Sequence, residues 1–294
     1  MKIESQEISS PLLEDKKIRL FIKRLDIIDA IISGNKWFKL KYNLIEAKRQ
    51  GHDTLLTFGG AYSNHIAAVA TLANLYGFKS IGIIRGERHD FLNSTLSHAE
   101  KMNMHLHYIS RSKYCLKDNK DFLDKIKLEF GEFYLLPEGG TNNLAVKGTS
   151  EILDPLDVQD YICCPVGSGG TISGIVNSSS SSQNVIGFPA IRDYSKLEID
   201  IKKWVLTDNW TFIDDYSFGG YARFSDELVD FINNFYVNHK IPLDIIYTGK
   251  MMFGVVDLIK KDYFASNSSI LAIHTGGLQG NIGMRERLGV NLSF

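Results

Sequence analysis

The sequence predicts an α/β protein built on parallel sheets that helices cover on both faces. Two observations predict it. Short apolar, β-rich runs alternate with longer helical runs along most of the 294 residues. Strand–helix alternation of this kind marks parallel strands joined by helical crossovers. Two of the strand-to-helix junctions are glycine turns, Phe58-Gly59-Gly60-Ala61-Tyr62-Ser63 and Val166-Gly167-Ser168-Gly169-Gly170-Thr171.

In chain order, the first extended segment is the basic-apolar run Leu20-Phe21-Ile22-Lys23-Arg24. Strands are then predicted at 54–58, 80–84, 105–109, 133–136, 161–166, 185–188 and 270–274. Helices are predicted at 39–50, 65–76, 92–103, 122–130, 144–152, 171–177, 226–239 and 253–262. Ser63 or Asn64 is placed to cap the helix that follows it. Residues 153–160 carry a proline and several aspartates and read as a boundary between units. The serine run 178–182 reads as a flexible surface connection.

Hydrophobic residues make up 44% of the chain and charged residues 23%, an ordinary globular balance. The formal net charge of −1 leaves no basic excess for a nucleic-acid backbone. The first residues, Met1 to Glu7, carry charges where a signal peptide needs an apolar core, and no apolar run approaches a membrane span. Cys115, Cys163 and Cys164 are too few for a disulfide framework and suit a reducing cytoplasm. Cys163 and Cys164 are strand neighbours, so they point to opposite faces and read as packing residues. His105 and His107 share one strand face without a visible third ligand, so no metal site is expected.

The chemistry starts at Gly34-Asn35-Lys36-Trp37-Phe38. This run puts a lysine at the mouth of a helix, where its amine is useful for a Schiff base with an aldehyde such as pyridoxal phosphate. The Phe58–His65 turn opens a helix whose free N–H groups can hold a carboxylate. The Ile162–Thr171 turn has the strand–glycine loop–helix form that cradles a phosphate. A dinucleotide fingerprint would need a third glycine where Ile172 stands, and no triphosphate-binding G-x-x-x-x-G-K-[ST] occurs.

Six segments in this order resemble one family: Lys23-Arg24-Leu25-Asp26, Ser33-Gly34-Asn35-Lys36, Gly59 to His65, Pro165 to Thr171, Tyr247-Thr248-Gly249-Lys250 and His274-Thr275-Gly276-Gly277. The chain resembles the 1-aminocyclopropane-1-carboxylate deaminase / D-cysteine desulfhydrase family, among the tryptophan-synthase-β-like (fold-type II) pyridoxal-phosphate enzymes. The likeness runs from Ser10 to Gly277. It implies two α/β domains with pyridoxal 5'-phosphate between them: a small one at 44–147, and a large one from 1–43 plus 148–294. It also implies a homodimer and a small amino-acid substrate.

By that resemblance, Lys36 carries the cofactor, while Lys39, Gly167, Ser168, Gly169, Gly170 and Thr171 hold its phosphate. Asn64 meets the ring hydroxyl. Ser63, Asn64 and His65 lie beside the substrate carboxylate, and Tyr221 and Tyr247 face the substrate. Lys36, Ser63, Tyr221 and Tyr247 are the groups expected to serve the reaction. His65 stands where the cyclopropane deaminases have glutamine, which introduces a group expected to titrate near pH 7. Thr248 stands where they have a glutamate at the pyridine nitrogen, and Thr275 replaces an apolar residue. Both threonines resemble the desulfhydrase side and favour β-elimination to pyruvate, ammonia and sulfide over ring opening to 2-oxobutanoate and ammonia. The alternative of another class is a non-catalytic small-molecule binding protein on the same fold. It has no use for Lys36.

Overall fold

A computed structural model describes residues 3–28, 32, 34–192 and 194–294. Ser33 of the Ser33–Lys36 motif lies outside the described residues. The chain opens with β1 (Ser5–Ile8), α1 (Pro11–Lys16), β2 (Arg19–Arg24) and α2 (Asn35–Arg49). Next come β3 (Thr54–Gly60), α3 (Asn64–Tyr76), β4 (Lys79–Arg85), α4 (Ser94–Lys101) and β5 (Met104–Ile109). They are followed by α5 (Arg111–Tyr114), α6 (Lys120–Phe130), β6 (Tyr134–Leu136) and α7 (Asn143–Thr149). The C-terminal half holds β7 (Tyr161–Val166), α8 (Gly170–Ser178), β8 (Asn184–Pro189), α9 (Ser195–Lys202) and β9 (Trp210–Phe212). The chain ends with α10 (Asp226–His239), α11 (Thr248–Lys260), β10 (Ser269–His274) and α12 (Gln279–Leu288).

These strands form two sheets. One has the order β5-β4-β3-β6 and is parallel throughout. The other has the order β1-β2-β10-β7-β8-β9 and is parallel except for β1, which pairs antiparallel with β2. Each sheet is buried on both faces, so its strands read as apolar runs. Leu55 and Ile84 pack under α3 and α4, and Leu56, Phe58 and Ile83 pack with Ile126 on the opposite face. In the larger sheet Cys164 and Val166 belong to one core and Cys163 to the other, as the alternation of strand side chains requires. Burial pushes both thiols up, which keeps them un-ionised.

The predicted strands and helices all lie within observed elements or overlap them. Three strands were not predicted as such. β2 adds Arg19 to the extended run 20–24, and β1 and β9 are edge strands of four and three residues. The acidic segment 153–160 is anchored, not loose. Lys23 of β2 is fully buried, and its Nζ lies 2.5 Å from Asp157 Oδ2 and 3.1 Å from Asp154 Oδ2. The serine run is also tied down. Ser178 ends α8, and Asn209 Nδ2 donates to Ser179 Oγ (3.0 Å), the Ser180 carbonyl (3.1 Å) and the Gln183 carbonyl (2.9 Å). His105 and His107 pack against Phe130. No described helix is long and apolar enough to cross a membrane.

Candidate active site

The ends of β3, β7 and β10 and the start of α2 meet at a cleft of about 1520 Å³. Gly34 makes that meeting possible. Its φ of 77° is left-handed, and a Cβ there would sit 1.8 Å from the Thr275 carbonyl oxygen. The same carbonyl accepts the Asn35 N–H at 3.1 Å, which staples the start of α2 to the end of β10. Lys36 therefore enters the cleft from a fixed helix end.

Lys36 Nζ donates to Asn35 Oδ1 at 2.9 Å, and Asn35 Nδ2 donates to Thr171 Oγ1 at 2.8 Å. Burial lowers the Lys36 pKa to about 8, against the pull of the Asp244 carboxylate. About a tenth of the amine is then neutral at pH 7, far more than for an ordinary lysine. One turn on, Lys39 is buried, and its Nζ donates to the Gly139 carbonyl (2.9 Å), Thr141 Oγ1 (2.9 Å) and Ser168 Oγ (3.0 Å). Burial, helped by the Lys36 charge, holds its pKa well below the ordinary lysine value. Thr141 and Gly139 were not singled out from the sequence. Nothing in their local pattern distinguishes them from turn residues.

The loop Gly167-Ser168-Gly169 leads from β7 into α8, with Gly169 at φ 83° as the helix N-cap. No side chain caps the first N–H groups of α8. A Cβ on Gly167 would press the Tyr247 ring at 3.1 Å, and one on Gly170 would meet Thr141 at 2.9 Å. Both glycines are therefore required by close packing against Tyr247 and Thr141.

Across the cleft, Ser63 caps α3 by accepting the Ile66 N–H at 3.3 Å. Asn64 Nδ2 reaches the Gly277 carbonyl at 3.5 Å, while its Oδ1 is buried without a hydrogen-bond partner. His65 is buried, and its Nε2 contacts Thr57 Oγ1 at 2.9 Å. Thr57 already donates to the Leu136 carbonyl, so Nε2 carries the proton. Burial and the charges of Lys36 and Lys39 drive the His65 pKa well below 6.5. This corrects the expectation of a titration near pH 7: the ring stays neutral there.

Tyr221 and Tyr247 line the cleft, with ring centroids 6.1 Å apart in an edge-on pair. Burial raises both phenols, and the hydroxyl–hydroxyl contact raises Tyr247 further while opposing the rise at Tyr221. Thr275 lines the cleft as well. Thr248 does not. It is fully buried behind Tyr247, where its hydroxyl donates to Asp244 Oδ1 at 2.7 Å and accepts the Asp244 N–H at 2.8 Å. The position expected at the ring nitrogen is committed to an internal aspartate. Reading the sequence missed Asp244, although an aspartate just before a helix start is a capping signal.

The site fits pyridoxal phosphate on three counts. A lysine amine of lowered pKa enters the cleft. A glycine cradle sits at a helix N-terminus beside a second lysine. The buried Asn64 oxygen lacks a partner that a ring hydroxyl could supply.

Residues 3–276 match the pyridoxal-phosphate dependent enzymes. The chain belongs to that family, and its two-sheet architecture is that of the fold-type II members. It is 32% identical, over 94% of each chain, to a Thermotoga maritima protein provisionally named a 1-aminocyclopropane-1-carboxylate deaminase. It is 30% identical to the bifunctional D-cysteine desulfhydrase/1-aminocyclopropane-1-carboxylate deaminase of Arabidopsis thaliana, over 89% of this chain and 73% of that one. A crystal structure described as an ACC deaminase homologue superposes with a TM-score of 0.85 at 25% identity, covering 98% of this chain and 93% of the other.

Proposed function

We propose that this enzyme is a deaminating lyase that acts on a small amino acid by α,β-elimination, in the manner of a D-cysteine desulfhydrase. The observation that carries the reading is Lys36, whose amine lines the same cleft as Gly167, Ser168, Gly169 and Thr171. Bound pyridoxal phosphate supplies an aldehyde for the substrate amine and a ring that withdraws electrons from the α-carbon. Lys36 takes the α-proton. Ser63 and Asn64, with the free N–H groups at the start of α3, hold the substrate carboxylate. Lys39, Gly167, Ser168, Gly169, Gly170 and Thr171 hold the cofactor phosphate, and Asn64 and Thr275 meet its ring. His65, held neutral, braces this wall without moving a proton. For D-cysteine, the β C–S bond breaks with its electron pair on sulfur. Water then completes the balance to pyruvate, ammonia and hydrogen sulfide.

The second reading is ring opening of 1-aminocyclopropane-1-carboxylate to 2-oxobutanoate and ammonia. Tyr247 would then help attack or protonate the ring. Burial holds its phenol well above the ordinary range, which suits protonation over attack in that reading. We further propose that the active site lies between a small domain at 44–147 and a large domain from 1–43 plus 148–294, in a homodimer. The three unpaired cysteines support a cytoplasmic setting.

The test is 2-oxo acid release from a panel of D- and L-amino acids, β-chloro-D-alanine and 1-aminocyclopropane-1-carboxylate. Elimination predicts a higher kcat/KM for D-cysteine or β-chloro-D-alanine. A clear preference for the cyclopropane acid would overturn it.

A further inference from the structure

The segment that carries Tyr221 has an unusual backbone. Phe218 (φ 53°), Gly219 (85°), Gly220 (112°) and Ala222 (55°) all lie at positive φ. Two of these four are not glycine, and left-handed backbone at such residues persists only where the surroundings hold it. The holding contact is specific. Lys250 Nζ donates to the Ser217 carbonyl at 2.8 Å and to the Gly220 carbonyl at 2.7 Å. The same carbonyls accept the Gly220 N–H (3.0 Å) and the Arg223 N–H (3.1 Å), so one amine closes both turns of the loop.

Lys250 is only 2% exposed, and no carboxylate lies within ion-pair distance of it among the described residues. Burying a cation on two neutral carbonyls is costly and needs a compensating purpose. Its position supplies one. Tyr247 is the N-cap of α11, and Lys250 lies in its first turn, three residues on. The helix whose start fixes Tyr247 thereby reaches across to the loop that fixes Tyr221.

We propose that Lys250 is the positioning residue of the tyrosine pair: its buried amine clamps the Ser217 and Gly220 carbonyls and so sets the Tyr221 hydroxyl against Tyr247 at the cleft wall. The inference rests on the reading that these tyrosines serve the substrate. It extends that reading to a residue that touches neither substrate nor cofactor.

The test is a double-mutant cycle on the cofactor-loaded enzyme. Lys250→Met and Tyr221→Phe should each lower kcat between about 10- and 100-fold with little change in KM, since the first misplaces and the second removes one hydroxyl. The double variant should be no worse than Tyr221→Phe alone, whereas independent roles would multiply. Lys250→Arg, which keeps a donor, should recover part of the loss. Multiplying effects, or no recovery by arginine, would overturn the proposal. Amide hydrogen exchange gives a second readout that needs no turnover: the Gly220 and Arg223 amides should exchange faster in Lys250→Met than in the unsubstituted protein, and unchanged exchange would mean that the amine does not clamp the loop. If no amino acid in the panel yields a 2-oxo acid but these amides lose protection in Lys250→Met, the proposed function fails and the clamp stands.

Discussion

The Thr248 hydroxyl and the Asp244 carboxylate form a closed pair: Thr248 donates to Asp244 Oδ1 at 2.7 Å and accepts the Asp244 N–H at 2.8 Å. Asp244 also takes the N–H groups of Ile246 (2.9 Å), Tyr247 (2.8 Å) and Thr248 (2.7 Å). Burial raises its pKa above the usual carboxylate range, although these donors pull the other way. The pair thus organises the start of α11 from beneath, and Tyr247, whose N–H Asp244 accepts, is delivered to the cleft.

This arrangement predicts a separation of effects at the two threonines. Thr248→Val strands the Asp244 N–H in the interior, which should cost about 1–3 kcal/mol of folding stability. Thr248→Ser keeps both hydrogen bonds and should cost far less. Thr275→Val, on the cleft wall, should instead alter the visible spectrum of bound cofactor with little loss of stability. Urea unfolding and absorption spectra check both. A spectral change with Thr248→Ser as large as with Thr275→Val would place Thr248 at the ring after all.

The lowered pKa of Lys36 predicts the pH course of cofactor attachment. Only the neutral amine attacks an aldehyde, so below the pKa the rate of covalent reconstitution with pyridoxal phosphate should climb about tenfold per pH unit. It should level off near pH 8, not near the ordinary lysine value of 10.5. The Asp244 charge raises the Lys36 pKa, so Asp244→Asn should move the bend to lower pH in whatever fraction of that variant folds. Lys36→Ala should abolish attachment. A bend still rising at pH 10, or attachment retained in Lys36→Ala and lost in Lys39→Ala, would identify the wrong lysine.

The glycine cradle predicts a steric effect. Gly169 has φ 83°, and a Cβ there would meet Ile201 at 2.7 Å. Gly169→Val combines that contact with a backbone conformation that β-branched residues avoid, so the loop must move. Pyridoxal phosphate should bind at least about tenfold more weakly while binding of pyridoxal, which lacks the phosphate, changes little. Equal losses for both compounds would show that the loop does not meet the phosphate.

Much of the fold and site is legible because its signals are local. Lys36, Lys39, Ser63, Asn64 and the Gly167–Thr171 loop each sit at a helix start announced by glycine or a capping residue. The cleft brings them together. What the sequence hid depends on partners far along the chain. Thr248 aligns with a ring-facing position, yet its nearest carboxylate is four residues back and inside the protein. The helix predicted at 253–262 begins at Thr248, because Asp244 satisfies its first N–H groups. α12 is not among the predicted helices, and it holds two glycines, Gly280 and Gly283. A Cβ at Gly283 would lie 2.3 Å from the Tyr62 ring, so that glycine is there for close packing. Lys23 belongs to the basic-apolar run 20–24, and its full burial depends on aspartates far along the chain.

Lys23 supports the last prediction. It lies on β2, between β1 and β10, and is paired with aspartates 131 and 134 residues away. The buried member of that pair is Asp157, whose side chain is 4% exposed, against 34% for Asp154. Asp157 also accepts the Asp154 N–H at 2.9 Å through Oδ2. Removing one partner leaves the other's charge uncompensated inside the protein, so Lys23→Ala should cost about 3–5 kcal/mol. Asp157→Asn should cost a similar amount. Asp154→Asn should cost about 1 kcal/mol or less, because solvent already screens that contact. Replacing both members, as in Lys23→Met with Asp157→Leu, should recover most of the loss, since no charge is then stranded. Urea unfolding of the four variants measures this. If Lys23→Ala and Asp157→Asn were as mild as Asp154→Asn, the basic strand would be held by its apolar neighbours alone.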